Sequence, residues 1–185
     1  MASNPSDPTT TPATDLTPTD LTHLRRAVEL AAESLAAGDA PFGSVLVLGG
    51  GVLAEDRNRI VTLNDATKHP EFELARWAAV NLPSAEERKA VTVYTSGEHC
   101  PMCSAAHAYV GLGRIVYVAS AKQLEGWQRE FRRERLGVEE EEEQQVTVAG
   151  LPIQTVAPGI EVLGPVPELE KDIWELHRAY AARKG

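Results

Sequence analysis

Four residues in two short segments could together activate water at a metal ion. His69 offers an imidazole nitrogen, and Cys100 and Cys103 offer two thiolates, a ligand set that zinc accepts in four-coordinate sites. Three protein ligands leave the fourth position open to water, whereas a structural zinc site is closed by a fourth ligand. Glu71 stands two residues after His69 and could carry a proton from that water to a leaving group. The four residues therefore predict one zinc ion per chain and hydrolysis at it.

Each of these residues also has an interpretation without catalysis. A carboxylate such as that of Glu71 can stabilise the start of a helix, and free cysteines are often small core residues. Cys100, Cys103 and His107 could instead form a local Cys₂His zinc site that omits His69 and is closed by a further ligand. That structural site would leave Glu71 without a role.

The two segments match a known signature. The pattern H-x-E followed by P-C-x-x-C is typical of zinc deaminases. The chain resembles the cytidine-deaminase-like superfamily, and within it bacterial guanine deaminases and tRNA adenosine deaminases. Two departures stand out: Pro70 replaces a small residue between His and Glu, and His99 replaces the proline before the first cysteine. The resemblance is carried by Pro41-Phe42-Gly43, Asn64-Asp65-Ala66-Thr67, His69-Pro70-Glu71 and Cys100-Pro101-Met102-Cys103.

The resemblance also implies residues that contact the substrate. The amide of Asn58 would hydrogen bond the ring, and the main-chain carbonyl of Glu98 would receive the departing amine; an Asn in a loop is otherwise a turn former. Phe42 could be a stacking wall or a core residue at the start of a strand. His99 could line the pocket or fill the space that proline leaves.

Pro70 predicts an unusual substrate preference. In the family that the chain resembles, the residue between His and Glu points its backbone N–H into the pocket. Proline has no N–H, so a ring acceptor at that place would be left unpaired at a cost of about 1 to 3 kcal/mol. We therefore count Pro70 among the substrate-binding residues and expect the accepted ring to differ from that of ordinary relatives.

Bulk composition predicts one cytoplasmic domain. The chain has 185 residues, of which 24% are charged and 43% hydrophobic, and no apolar run is long enough for a membrane helix. Residues 1–16 are rich in Thr, Pro, Ser and Asp and predict a disordered tail, so the domain is expected at residues 17–185. Only two cysteines occur, three positions apart, which favours a metal site in a reducing compartment over a disulfide.

Net charge bears on the substrate. The formal charge is −9, and an acidic run at Glu139–Glu143 predicts a solvated loop or helix end. Because nucleic-acid affinity depends on Lys and Arg neutralising phosphates, this charge disfavours a nucleic acid. We expect a small heterocyclic amine and water as reactants, namely a free nucleobase or similar ring, with a guanine-like purine favoured by the resemblance. The alternatives are a tRNA adenosine deaminase, a cytosine or cytidine deaminase, and a non-catalytic zinc-binding relative.

The spacing of apolar residues predicts an α/β fold. Strand, helix and strand follow one another from residue 91 to 119, which implies a parallel crossover. The resemblance specifies a three-layer α/β/α sandwich with a mixed, mostly five-stranded sheet. The predicted helices are 18–37, 70–82, 101–112, 121–135 and 166–182, and the predicted strands are 44–48, 52–57, 91–95, 114–119 and an edge strand within 146–156.

The C-terminal third predicts packing and assembly. Trp127 and Phe131 are four residues apart and share a helix face, from which they could pack into the core or close the pocket. The last helix carries more apolar residues than one face needs, which together with the resemblance predicts a homodimer. These residues are Leu169, Ile173, Trp174, Leu176 and Tyr180.

Overall fold

The computed structural model describes residues 16–138 and 147–183. Most of the predicted tail (residues 1–15) and the acidic run at Glu139–Glu143 lie outside these residues. The elements are α1 (Pro18–Ala36), β1 (Gly43–Leu48), β2 (Gly51–Arg57), α2 (Pro70–Asn81), α3 (Ala85–Ala90), β3 (Thr92–Gly97), α4 (Pro101–Val110), β4 (Arg114–Ala119), α5 (Ala121–Leu136), α6 (Ile153–Val156), β5 (Val162–Leu163) and α7 (Glu170–Arg183).

The five strands form one mixed sheet in the order β2-β1-β3-β4-β5. β1 pairs with both β2 and β3 in antiparallel fashion, while β4 runs parallel to β3 and to β5. The helix α4 is the crossover between the parallel strands β3 and β4, as the spacing predicts. Because β3 and β4 are parallel, the loops that follow them leave the sheet at the same end of the strands.

Helices cover both faces of the sheet. On one face, apolar residues of α1 and α7 pack against strand residues such as Val45, Val116 and Val118, all of which are fully buried. On the other face, α2 contributes Leu74 and Ala78 to a second core beneath β1 and β3. The predicted three-layer α/β/α sandwich with a mixed five-stranded sheet is confirmed.

Prolines begin three of the helices. Pro18, Pro70 and Pro101 each stand in the first turn of α1, α2 and α4, where a missing N–H breaks no helical hydrogen bond. Thr17 caps α1 through a capping box with Asp20. The residues that precede Pro70 and Pro101 are thereby held in extended conformation at the helix starts.

Two local expectations need correction. The predicted edge strand within 146–156 is wrong, because Ile153–Val156 forms the short helix α6 and the edge strand is Val162–Leu163. The Ile153 side chain is fully buried beside Ile115 and Tyr117, which fixes this segment on the sheet as a helical turn. The helix α3 was not predicted, although Ser84 caps it by accepting a hydrogen bond from the Glu87 N–H at 3.2 Å.

The helix α7 uses its apolar residues within the chain. Ile173 is fully buried in the core with α1 and β4, and Leu176 packs against the same cluster. Trp174 meets the ring of Phe131 on α5, and Trp127 also lies against that core, so the packing alternative for both α5 aromatics is confirmed. Packing of α7 against the core and against Phe131 on α5 therefore covers much of the apolar surplus that motivated a homodimer. No helix among residues 16–138 and 147–183 has the length and apolar character to cross a membrane.

Candidate active site

The starts of α2 and α4 bring the predicted ligands together. His69 is the N-cap of α2 and Cys100 is the N-cap of α4, both with extended backbone. Neither residue uses its side chain to cap its own helix, so the imidazole and the thiol remain available. Cys103 lies in the first turn of α4, on the same side. Backbone N–H groups and the positive ends of two helices surround the cluster, an environment that favours thiolates.

The distances within the cluster fit a tetrahedral zinc ion. The Cys100 and Cys103 sulfurs are 3.5 Å apart, and each lies 3.7 Å from Nδ1 of His69. Zinc bound to sulfur at about 2.3 Å and to nitrogen at about 2.0 Å would separate these atoms by roughly 3.5 to 3.8 Å. Among the described residues, this is the one group of three or more His, Cys, Asp or Glu side chains close enough to share a metal ion.

The two thiols share one negative charge. The contact between the two sulfurs lowers the pKa of Cys100 to about 4, and the same contact holds the pKa of Cys103 far above its usual range. The hydrogen bond with Cys100 also raises the pKa of His69. A divalent cation would allow both thiols to ionise, so metal binding should release protons.

Glu71 lies beside the ligand group and does not belong to it. Its side chain is buried, and its Oε2 lies 3.7 Å from the Cys103 sulfur. Burial raises the pKa of Glu71 to about 7. A carboxyl group with a pKa near neutrality can both accept and return a proton at physiological pH.

Asp39 fixes the loop that leads to His69. Its Oδ1 accepts hydrogen bonds from the Val61 N–H at 2.8 Å and the Thr62 N–H at 2.9 Å, while Oδ2 accepts from the Thr62 hydroxyl at 2.8 Å. Arg57 pairs with the same carboxylate, and these contacts hold the pKa of Asp39 below its usual range against the effect of burial. The buried, satisfied Asp39 therefore orients the segment from Asn58 onward.

A cavity of about 330 Å³ opens beside the cluster. Its walls include His69, Glu71 and Cys100 at one end. The charged residues in the walls are carboxylates, and no Lys or Arg of the described chain is among them. The remaining walls are Phe42, Gly97, Glu98, Pro101, Ala119, Ser120, Ala121, Leu124, Glu125, Gln128, Val148, Ala149, Gly150, Leu151 and His177.

Phe42 and Glu98 are the predicted substrate-binding residues that line the cavity. The Phe42 ring packs on Gly97, where any Cβ would come within 3.0 Å of it. Gly43 lets the strand pass directly beneath α1, because a Cβ there would lie 2.4 Å from the Ala27 carbonyl. The Glu98 carboxylate accepts hydrogen bonds from the backbone N–H groups of Ala121 and Ile153.

The other predicted contact residues are not among the cavity walls. His99 has no exposed surface and packs its ring against His107 at 5.5 Å, so the pocket-lining interpretation of His99 is replaced by the space-filling one. Asn58 is buried and accepts from the Ile60 N–H at 3.0 Å, the geometry of a turn former. Pro70 is buried at the start of α2. The local Cys₂His alternative is not formed, because His107 Nε2 donates to the Gly113 carbonyl.

The far walls of the cavity come from residues that the sequence analysis did not select. Leu124 and Gln128 lie on α5, residues 148–151 precede α6, and His177 lies on α7. One signal was present: His177 follows Ile173 by four residues, which places a polar side chain on the buried face of the helix.

Family comparison agrees with this geometry. A profile of the MafB19-like deaminase family matches residues 19–148, a span that includes both helix starts of the cluster. The chain belongs to the MafB19-like deaminase family. The predicted resemblance to cytidine-deaminase-like proteins is thereby confirmed.

Individual relatives of this MafB19-like deaminase have several substrates. The guanine deaminase of Bacillus subtilis is 40% identical over 99 residues, which cover 53% of this chain and 63% of that protein. A tRNA-specific adenosine deaminase of Agrobacterium fabrum is 38% identical over 81 residues, which cover 44% of this chain and 53% of that protein. The chain thus spans only between half and two thirds of these curated relatives.

Solved structures share the fold. The X-ray structure of Bacillus subtilis guanine deaminase has a TM-score of 0.53 and 32% identity, and covers 75% of this MafB19-like deaminase and 89% of that chain. A structure described as Guanine deaminase from Nitrosomonas europaea has a TM-score of 0.61 at 21% identity, and covers 90% of this chain and 85% of that one. At that lower identity the likeness speaks for the fold alone.

Proposed function

We propose that this protein is a zinc-dependent aminohydrolase that releases ammonia from a free nucleobase or a similar small amino-heterocycle, with a guanine-like purine favoured. One observation carries the proposal: the cavity that contains Glu71 and the ligand cluster is small and has no Lys or Arg in its described walls. A space of about 330 Å³ suits a single heterocycle. Phosphates are recognised mainly by Lys and Arg, so a nucleotide would find no matching charge there.

His69, Cys100 and Cys103 would hold one zinc ion per chain through Nδ1 and the two sulfurs. When bound, zinc supplies a Lewis acid that lowers the pKa of a water molecule to near neutrality. Thiolate ligands persist in a reducing compartment, which supports a cytoplasmic location for the protein.

Glu71 would move the protons of the reaction. Its carboxylate takes a proton from the attacking water, whose oxygen forms a bond to the ring carbon that bears the amine. It delivers this proton to the ring nitrogen. It then takes the remaining proton from the added hydroxyl and gives it to the amine, the C–N bond breaks to release ammonia, and the oxygen remains as a carbonyl. The backbone N–H of Cys100, at the start of α4, would stabilise negative charge on the oxygen.

The walls of the cavity would orient the ring. Phe42 offers an aromatic surface against which a planar heterocycle can stack. The main-chain carbonyl of Glu98 would accept a hydrogen bond from the departing amine, in keeping with the family resemblance. Asn58 and Pro70 do not line the cavity. They would contribute indirectly, Asn58 by fixing the conformation of its loop and Pro70 by fixing the start of α2.

A tRNA adenosine deaminase is the second candidate, since relatives of that description are similar over about half of the chain. A probable cytosine deaminase of Schizosaccharomyces pombe, 30% identical over 113 residues, keeps pyrimidines on the substrate panel. A non-catalytic zinc-binding relative is the third candidate. Net charge of −9 supports the free base over a nucleic acid.

We also propose a homodimer, on a face different from α7. The helices α2 and α4 contact each other and carry two large apolar side chains that are strongly exposed, Val80 at 82% and Tyr109 at 92%. Exposed apolar residues on neighbouring helices are typical of a surface that a second copy covers. Sedimentation of wild type and of Tyr109→Lys at micromolar concentration tests this, and a monomeric wild type would contradict it.

Ammonia release across a panel of substrates tests the main proposal. The panel contains guanine, adenine, cytosine, their nucleosides, triazine amines and a tRNA, with zinc-loaded wild type and Glu71→Gln as the matched pair. We expect turnover of at least one free ring, loss of that turnover in Glu71→Gln, and little or no reaction with tRNA. Efficient deamination of tRNA with no ring accepted would overturn the assignment.

A further inference from the structure

His177 is a buried polar side chain on the cavity wall that makes no hydrogen bond to another described residue. It keeps 6% of its surface exposed and is among the residues that line the cavity. Its ring meets Phe42 edge to face at 5.0 Å and lies 6.2 Å from the ring of Trp127. No hydrogen bond joins either ring nitrogen to another of the described residues, and neither nitrogen is among the fully enclosed atoms that lack a partner, so a molecule in the cavity can reach them. The aromatic contacts therefore account for the ring of His177 but not for its nitrogens.

Packing alone does not explain an imidazole at this place. A phenylalanine would make the same edge-to-face contact with Phe42 and would bury no polar atoms. On a cavity wall the His177 nitrogens can be hydrated, unlike the enclosed and unpartnered nitrogens of His99. A ligand in the cavity that offers a matching donor or acceptor would replace that water, so the His177 nitrogens point to a ligand.

The cavity beside Glu71 suits an uncharged ring, because its described walls contain no Lys or Arg, whereas Arg132 and Arg135 line a separate cavity that His177 also borders. Burial lowers the pKa of His177 to about 4, so the imidazole offers one donor and one acceptor at neutral pH. Of the carboxylates on the cavity walls, Glu98 is engaged by two backbone N–H groups and Glu125 pairs with Arg129. Neither of these carboxylates is hydrogen bonded to His177.

The position of His177 determines which part of a ligand it can reach. The ligand cluster and Glu71 lie at the starts of α2 and α4, whereas His177 comes from α7, which packs on α1 and α5. A ring whose amine-bearing carbon faces Glu71 would direct its opposite edge toward the α5 and α7 side of the cavity.

We propose that His177 is a substrate-binding residue that hydrogen bonds the edge of the heterocycle facing away from the metal cluster, and thereby selects rings by the donor and acceptor present at that edge. This inference rests on the proposed function for its substrate class. It makes the C-terminal helix part of the recognition machinery.

Three variants test the role of His177. His177→Phe keeps the ring and removes both nitrogens, His177→Asn places an amide near the position of Nδ1, and His177→Gln places one near Nε2. The zinc content and the unfolding midpoint of each variant are measured first, to show that the cluster and the fold are retained. Binding of the deaminated ring, the reaction product, is then measured by calorimetry, and kcat and KM are measured for the preferred amine.

We expect His177→Phe to weaken product binding and to lower kcat/KM by about tenfold, the effect of one hydrogen bond. Either Asn or Gln should restore most of this loss, and the one that does so identifies the ring nitrogen involved. The loss should be largest for rings that carry a donor or acceptor at the distal edge. Affinity and kcat/KM that are unchanged in His177→Phe for every ring would overturn the inference.

The same measurements separate this inference from the proposed function. If wild type binds a ring that it does not deaminate, and His177→Phe weakens that binding, the role of His177 stands and the deaminase proposal fails. If wild type deaminates a ring and His177→Phe is unchanged, the reverse holds. If wild type binds none of the panel, both fail.

Discussion

The two ends of the cavity are built in different ways. At the metal end, His69, Glu71 and Cys100 stand at the starts of two helices, and each side chain is fixed by a cap or first-turn position. At the far end, Gln128, residues 148–151 and His177 come from three separate parts of the chain. In the proposed function, the chemistry would thus depend on short segments, whereas recognition would depend on how distant elements pack. Substitutions at the far end should therefore change substrate choice while the reaction stays the same.

The largest expected effect is at the metal end. Glu71→Gln should reduce kcat by about a thousandfold or more and keep zinc, because it removes a proton carrier and no ligand. Cys103→Ala should lose both zinc and activity. Metal analysis beside single-substrate kinetics distinguishes the two outcomes. A fully active Glu71→Gln enzyme would show that the proton takes another route.

The second effect is on stability at the far end, and it depends on pH. The pKa of His177 is about 4 in the folded protein, below its ordinary value of 6.5. As the pH falls, the unfolded chain takes up this proton first, so folding stability is lost between about pH 6.5 and pH 4. His177→Phe removes this loss. The unfolding free energy of His177→Phe minus that of wild type should therefore be about 3 kcal/mol larger at pH 4 than at pH 7.

Urea unfolding of both metal-free proteins at pH 4 and pH 7 measures the His177 difference. Removing the metal from both samples keeps proton-linked zinc dissociation out of the comparison. Equal pH dependence in the two proteins would mean that His177 is hydrated and titrates normally in the folded state.

The metal end could be predicted from the sequence because its information is local. The pair His69 and Glu71 and the pair Cys100 and Cys103 each follow a loop and enter a helix next to a proline, so spacing alone places them at helix starts. Spacing does not show that the two helix starts meet; the shared ligand set and the zinc-deaminase signature indicate it.

The far end could not be predicted from the sequence because its contacts join residues that are distant in the chain. The apolar residues before Val156 predict a strand, but Pro152 begins a helical turn whose first N–H is held by Glu98, 55 residues earlier. The spacing of His177 predicts a buried polar residue, yet only the packing of α7 against α5 decides that it reaches the cavity.

The third prediction concerns Glu98, which joins the two ends. Its carboxylate accepts from the Ala121 N–H at 2.9 Å and from the Ile153 N–H at 3.0 Å, the first residues of α5 and α6. Glu98→Gln can accept only through one oxygen and presents a donor to the other N–H. We expect a loss of about 2 kcal/mol in unfolding free energy and a raised KM, with zinc content unchanged.

Glu125→Gln is the matched control for stability, since Glu125 lines the same cavity but is exposed, and its ion pair among the described residues is with Arg129. Its unfolding free energy should change by less than about 0.5 kcal/mol. If the two variants are equally stable, the Glu98 carboxylate does not anchor the far end.

The smallest effect tests whether the metal end also contributes to substrate choice. Pro70 gives the start of α2 no N–H to offer, and a first-turn N–H has no partner within its own helix. In Pro70→Ala the restored N–H would lie between the wall residues His69 and Glu71, and the prediction is that it reaches a ring acceptor through that part of the wall. One such hydrogen bond gained in the transition state should raise kcat/KM for guanine by about tenfold.

Pro18→Ala makes the same change at the start of α1, outside the cavity walls, and should alter stability slightly but not kcat/KM. If Pro70→Ala gains nothing on any ring, while His177→Phe alters the ranking of substrates, then recognition belongs to the far end alone.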